Sequence, residues 1–143
     1  MINLNSLQEL VNSGANVIVV TRPGSSSKLP TGIKVATADI TDVKSLAKIL
    51  KDNKIEVVVS TVGHPALPNQ HLLGDAAKEA GVQLFVLSEF GYSTVGRGGT
   101  GELGLKAKCA EHLQEIGLPS LRIFVSGKSR WIILEMLSLT IYS

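Results

Sequence analysis

The sequence holds one cysteine, Cys109, in 143 residues, which leaves no partner for an intrachain disulfide and no multi-cysteine zinc site. Aromatic residues make up only 4%, too few for the stacking platforms that bind single-stranded nucleic acid. Charge is scarce: 18% of residues are charged, below the usual ~25%. Fourteen basic and 12 acidic side chains leave a net charge of +2, so no strong electrostatic footprint points to direct nucleic-acid binding. The three histidines, His64, His71 and His112, are too scattered to form a ligand set. No signal peptide opens the chain. Its most apolar region, residues 131–141, contains Glu135 and is far short of the ~20 residues that span a bilayer. These absences leave a cytoplasmic protein of a reducing compartment, with no direct membrane or nucleic-acid partner.

What is present is apolar. Hydrophobic residues reach 44%, which excludes intrinsic disorder and favours strands buried on both faces. Leu4, Leu7, Leu10 and Val11 recur at helical spacing, with Asn3 or Asn5 to cap the start and Gly14 to end it. Apolar runs at 16–20, 33–38, 55–60, 82–87 and 121–125 read as strands. Residues 23–27 read as a turn. Thr41 is expected to cap a helix with an apolar face of Val43, Leu46, Ala47 and Leu50. A loop through Gly63, His64 and Pro65 leads to a helix that buries Leu72, Leu73, Ala76, Ala77 and Ala80 and ends at Gly81. A glycine-rich loop at 91–101 precedes a helical stripe of Leu105, Cys109, Leu113 and Ile116, ended by Gly117. Residues 131–141 read as a packed or self-associating C-terminal helix. Helices alternating with apolar strands predict an α/β, doubly wound parallel sheet (Rossmann-like) in one domain over residues 1–143. The order begins with a helix, where a Rossmann half begins with a strand and a glycine-rich turn.

Residues 96–101 satisfy G-x-G-x-x-G, but eight positions separate Ser88, at the end of a strand, from Gly96. A dinucleotide fingerprint needs its glycines directly between strand and helix, so the segment reads as a flexible surface loop. Gly127, Lys128 and Ser129 are no phosphate loop either, because Arg122 stands where its first glycine belongs. Four sites at the carboxyl ends of strands, where open α/β sheets bind ligands, fit nucleotide chemistry better. Thr21 and Arg22, with the serines at 25–27, could form a charge-assisted site for a 2′-phosphate; Arg22 could equally be a solvated turn residue. Asp39 could flank an adenine or serve as a turn residue. Ser60, Thr61, Val62 and Gly63 would let backbone approach a cofactor. Ser88 and Glu89 put polar groups at a site-facing edge, beside Phe90, which suits core equally well. Lys106, by itself, reads as a solvated lysine beside an apolar stripe. Cys109 reads as a buried small hydrophobe, His64 as an incidental loop residue near the cofactor mouth, and His71 and His112 as surface helix residues.

The segments Val19-Val20-Thr21-Arg22-Pro23, Ala38-Asp39-Ile40, Val58-Val59-Ser60-Thr61-Val62-Gly63 and Ser88-Glu89-Phe90-Gly91 resemble the NmrA-like and isoflavone-reductase-like group of atypical short-chain dehydrogenases. Gly104-Leu105-Lys106-Ala107-Lys108 and Gly117-Leu118-Pro119 continue the likeness in order, over about residues 4–124. The resemblance implies an NADP(H)-binding Rossmann domain and hydride transfer to a small, often aromatic, substrate. It implies Lys106 as the general acid/base; the Tyr-x-x-x-Lys of ordinary short-chain dehydrogenases is absent, since position 102 is Glu. The group's first strand, its glycine-rich turn and its C-terminal substrate region have no counterpart here, so the chain is expected to be a truncated domain of weak turnover. Without the first strand, its two neighbours would pair directly or leave an unpaired edge. A non-catalytic NADP-sensing regulator with a protein partner, a homodimer, and an inactive fragment stay open beside the enzyme.

Overall fold

The computed structural model describes residues 4–25, 29–90, 93–94, 96, 99–125 and 132–137. Asn3, Ser26, Ser27, Gly91, Arg97, Gly98, residues 126–131 and residues 138–143 lie outside the described residues, and with them parts of the turn, loop and tail expected above.

The first helix, α1 (Leu4–Asn12), is ended by Gly14, whose N–H donates to Val11 O at 3.0 Å. Strand β1 (Ile18–Thr21) runs into a turn in which Ser25 N–H donates to Arg22 O at 3.2 Å. Gly24, at φ +74, takes the left-handed position that such a Pro-Gly turn requires. Strand β2 (Lys34–Thr37) pairs parallel with β1, Ile18 opposite Lys34 and Thr21 opposite Thr37. Helix α2 (Val43–Asp52) is capped by Asp42, which accepts from Ser45 N–H at 3.0 Å. Thr41, the expected cap, is drawn instead to Asp39, whose carboxylate accepts its N–H at 2.8 Å and its hydroxyl at 2.7 Å.

Strand β3 (Val57–Val59) leads into a 3-10 helix (His64–Asn69) where the sequence reads as loop; Pro65 suits its first turn because a missing N–H is no loss there. It continues as α3 (Gln70–Ala80), closed by Gly81 at φ +78. Strand β4 (Leu84–Val86), helix α4 (Gly101–Glu115) and strand β5 (Ser120–Val125) follow. The last described element is a strand, β6 (Ile132–Leu137), antiparallel to β5 with Val125 opposite Ile132. The expected C-terminal helix is therefore corrected. Ile132, Ile133 and Leu134 are as compatible with a strand as with a helix, and pairing with β5 decides between them. No helix among the described residues is long and apolar enough to cross a membrane.

The strands form two groups, β2-β1 and β3-β4-β5-β6, parallel apart from β6. Strands β1 and β3 do not pair with each other among the described residues, so each keeps a free edge. That corrects the expectation of strands buried on both faces: Val20, Val57 and Val59 are 38%, 49% and 39% exposed. Burial concentrates where β4 meets the helices. Phe85, Leu87, Ala76, Ala77, Leu113 and Leu118 are closed off from solvent.

Two contacts set the spacing of this core. Gly74 of α3 lies against Leu113 of α4, with no room for a methyl group between them. Gln70, fully buried at the start of α3, accepts with Oε1 from Ser60 Oγ at 2.8 Å and from Ser88 N–H at 2.9 Å. One amide oxygen thereby ties the end of β3 to the end of β4. Gly74→Ala is expected to destabilise by about 1–3 kcal/mol, since Leu113 has no solvent to swing into. Gln70→Met, of similar size, is expected to cost about 1–3 kcal/mol for each group left without an acceptor. Urea midpoints of both variants check this; parental midpoints would contradict it.

Candidate functional site

Parallel strands place their carboxyl ends together, so the segments after β1 and β2 end at one edge of their pair and those after β3 and β4 at one edge of theirs. At β1, Thr21 is half-buried, its carbonyl accepting from Ala38 N–H at 3.0 Å, and Arg22 is exposed. At β2, Asp39 is exposed and closes a turn on Thr41. The Thr41 hydroxyl, and then its N–H, hold the Asp39 carboxyl below the usual carboxylate range. Its carboxylate thus serves its own turn, while its exposure leaves an outer face open.

At β3 and β4 the polar groups interlock. Ser60 is buried, with its N–H donating to Val86 O at 2.8 Å and its hydroxyl to Gln70. Ser88 donates its hydroxyl to Val62 O at 2.9 Å. These side chains fasten the two strand ends together and leave Thr61 and Gly63 exposed between them. Phe90 is half-buried at φ +23, where the chain turns away from β4.

The sequence puts Glu89 at the site-facing edge, but its carboxylate is buried. It accepts from Arg122 Nε at 3.2 Å and from Thr94 Oγ1 at 3.0 and 3.1 Å, and Arg122 also donates to Thr94 Oγ1. The Glu89 backbone carbonyl makes the contact with the expected acid/base: Lys106 Nζ donates to it at 3.3 Å. Lys106, 13% exposed, also pairs with Glu102 Oε1 at 2.9 Å. The Lys106 ammonium holds the Glu102 carboxyl below its ordinary range, by hydrogen bonding first and charge second, so Glu102 stays ionised near neutrality. The site therefore offers an exposed cation at β1, open backbone at β3 and a partly buried ammonium beside the end of β4.

Gln70, Thr94, Glu102 and Arg122 belong to this arrangement and were not singled out in the sequence. Arg122 carried a signal, since a single charge inside the apolar run Leu121-Arg122-Ile123-Phe124 needs a buried partner. Glu102 carried one as well, four positions before Lys106 on a helix. Gln70 and Thr94 carried none. Thr94 also changes the reading of the glycine-rich loop, because it is buried and held by the ion pair.

A cavity of about 220 Å³ opens between the helices, lined by Leu67, Pro68, His71, Leu105, Cys109 and His112. His71 and His112 are half-buried on their helices; their rings meet edge to face at 5.5 Å, and His112 Nε2 lies 2.7 Å from Asp75 Oδ1. Burial, and next the nearby Glu89 carboxylate, push the Cys109 thiol up to about 12, so it remains a protonated core group as the sequence suggests.

Comparison with known proteins agrees with this architecture. The model of the NmrA-like family matches residues 6–127. The chain is 29% identical over 123 residues to asnovolin J 5′,6′-dehydrogenase of Aspergillus novofumigatus, covering 81% of this chain and 37% of that protein. It is 34% identical over 106 residues to leucoanthocyanidin reductase of Desmodium uncinatum, covering 70% of this chain and 28% of that one. The binary complex of leucoanthocyanidin reductase with NADPH from Vitis vinifera matches with a TM-score of 0.69 and 25% identity, over 80% of this chain and 43% of that chain. The chain thus spans less than half the length of these relatives. With parallel strands, covering helices and a family match over residues 6–127, the chain belongs to the NmrA-like family and has a Rossmann-type α/β fold.

Proposed function

We propose that the strand ends hold NADPH and that the chain belongs to a reductase of the isoflavone-reductase type, acting on a small aromatic molecule with Lys106 as its acid/base. One observation carries the reading: Lys106 Nζ is a partly buried ammonium held beside the end of β4, where open α/β sheets bind ligands. The residues present fit the dinucleotide. Arg22 is an exposed cation at the end of β1, where an acidic residue would select against a 2′-phosphate, and Thr61 and Gly63 are open backbone at the end of β3. The name of the Vitis vinifera complex, a reductase with NADPH, supports the same choice.

In this reading Arg22 and Thr21 hold the 2′-phosphate, Asp39 lies against the adenine, and residues 60–63 with Ser88 and Phe90 line the path between them. NADPH, when bound, supplies a hydride. Lys106 gives the proton from Nζ to the substrate oxygen that gains charge. Its carbonyl acceptor, Glu89 O, keeps the ammonium aimed, and the ionised, half-exposed Glu102 connects it with solvent. Positioned proton transfer of this kind is worth about 10²–10⁴ in rate.

Titration with NADPH and NADH, followed by turnover assays on small benzylic and flavonoid substrates, tests the reading. Arg22→Ala is expected to weaken NADPH about 10-fold or more, the scale of one charged hydrogen bond, and to change NADH by less than about 2-fold. Equal losses would remove the 2′-phosphate assignment. Lys106→Ala is expected to lower turnover by at least about 100-fold while NADPH affinity stays within about 3-fold of the parent. Turnover retained in that variant would remove Lys106 as acid/base. NADPH binding with no turnover in the parent would replace the enzyme by a non-catalytic NADP-sensing protein.

A further inference from the structure

The buried pair of Glu89 and Arg122 has no place in binding or chemistry as described so far. Their side chains are 0% and 6% exposed, and both reach the hydroxyl of buried Thr94. Such a pair is a poor stabilising device. Removing two charges from water offsets most of their attraction, and apolar side chains of similar size do as well or better.

Its position in the chain gives it another use. Glu89 lies where the backbone leaves β4: its N–H donates to Leu87 O at 2.8 Å, and the next residue, Phe90, sits at φ +23. A bulky residue with positive φ is costly and persists only where its surroundings over-determine the backbone. Here they do. Ser88 is tied to Gln70 and Val62, and Glu89 to Arg122 and Thr94, so both side chains ahead of Phe90 are anchored. The Glu89 carbonyl lies in the peptide that joins this anchored residue to the strained Phe90, and it accepts from Lys106 Nζ at 3.3 Å. The other acceptor of Lys106, Glu102, is 46% exposed and sits in the first turn of α4, so it constrains the ammonium less.

We infer that the Glu89–Arg122 pair positions Lys106, acting through the Glu89 peptide; the inference rests on the reading of Lys106 as the acid/base. Glu89 and Arg122 are positioning residues. The buried carboxylate fixes which way its own carbonyl faces, and the carbonyl fixes the ammonium. A charged pair serves this purpose better than an apolar one because its hydrogen bonds are directional.

Brief acetylation of the native chain by limiting acetic anhydride, read at each lysine by mass spectrometry, tests this without substrate or cofactor. Exposed Lys108 on the same helix is the internal reference. In Arg122→Met, and in Glu89→Met combined with Arg122→Met, Lys106 is expected to react about 5- to 10-fold faster, the scale of one lost charged hydrogen bond. Lys108 is expected to stay unchanged. Arg122→Lys, which keeps a cation opposite Glu89 but loses the guanidinium fork, is expected to leave Lys106 slower than in Arg122→Met and faster than in the parent. A rate equal to that of Arg122→Met would count against the inference. The double variant separates positioning from packing. If the pair only fills space, two methionines restore both the melting temperature and the slow reaction of Lys106, and the inference falls. Should the methionine variants not fold, Glu89→Gln keeps the volume while weakening the grip. A faster Lys106 in that variant supports the inference, and a parental rate overturns it. Turnover retained in Lys106→Ala would overturn the proposed function instead, a different result in a different assay.

Discussion

The ends of β3 and β4 are drawn together around one buried amide oxygen, Oε1 of Gln70, with the Ser60–Val86 and Ser88–Val62 hydrogen bonds beside it. Strands that stop at a ligand-binding edge must satisfy their last polar groups without water, yet leave some backbone free for a ligand. Gln70 meets both demands: its Oε1 accepts from the Ser60 hydroxyl and the Ser88 N–H, which closes the gap between the strand ends. The neighbouring Thr61 and Gly63 remain exposed as a result. Because Gln70 opens α3, the same contact sets the height of that helix over the sheet. Gly74, one turn further on, then sets its distance from α4, which carries Lys106.

From there the arrangement continues through hydrogen bonds rather than through apolar packing. Ser88 holds the turn after β4, Glu89 anchors it to β5 and Thr94, and its carbonyl receives Lys106. Apolar contacts such as those of Phe85, Leu113 and Leu118 supply the driving force for folding but tolerate small displacements. The polar chain specifies direction. The Lys106 ammonium, the proposed proton donor, sits at the end of this directional part of the structure.

Much of the fold was legible in the sequence because its signals are local. Gly14 and Gly81 end their helices, the β-branched run at 18–20 is a strand, and Cys109 faces the core. The errors came where two local solutions compete. Thr41 and Asp42 are both good helix caps, and only the carboxylate of Asp39 decides between them. The apolar run at 132–137 fits either element until β5 lies beside it. Apolar residues on both faces of β1 and β3 promise burial, but burial needs a neighbour that these strands lack among the described residues. At the site, the residues of the strand ends could be read and their division of labour could not. Whether Glu89 offers its carboxylate or its carbonyl depends on Arg122, 33 residues away.

The central proposal is that the carboxyl ends of the strands, from Arg22 across Thr61 and Gly63 to Lys106, form one dinucleotide site. Amide-resolved NMR of the chain during addition of NADPH tests it most directly. The account predicts saturable shifts at Arg22, Thr61, Gly63 and the amides around Phe90, with the helix cavity at His71 and His112 unaffected. Shifts confined to that cavity, or none at saturating NADPH, would contradict it.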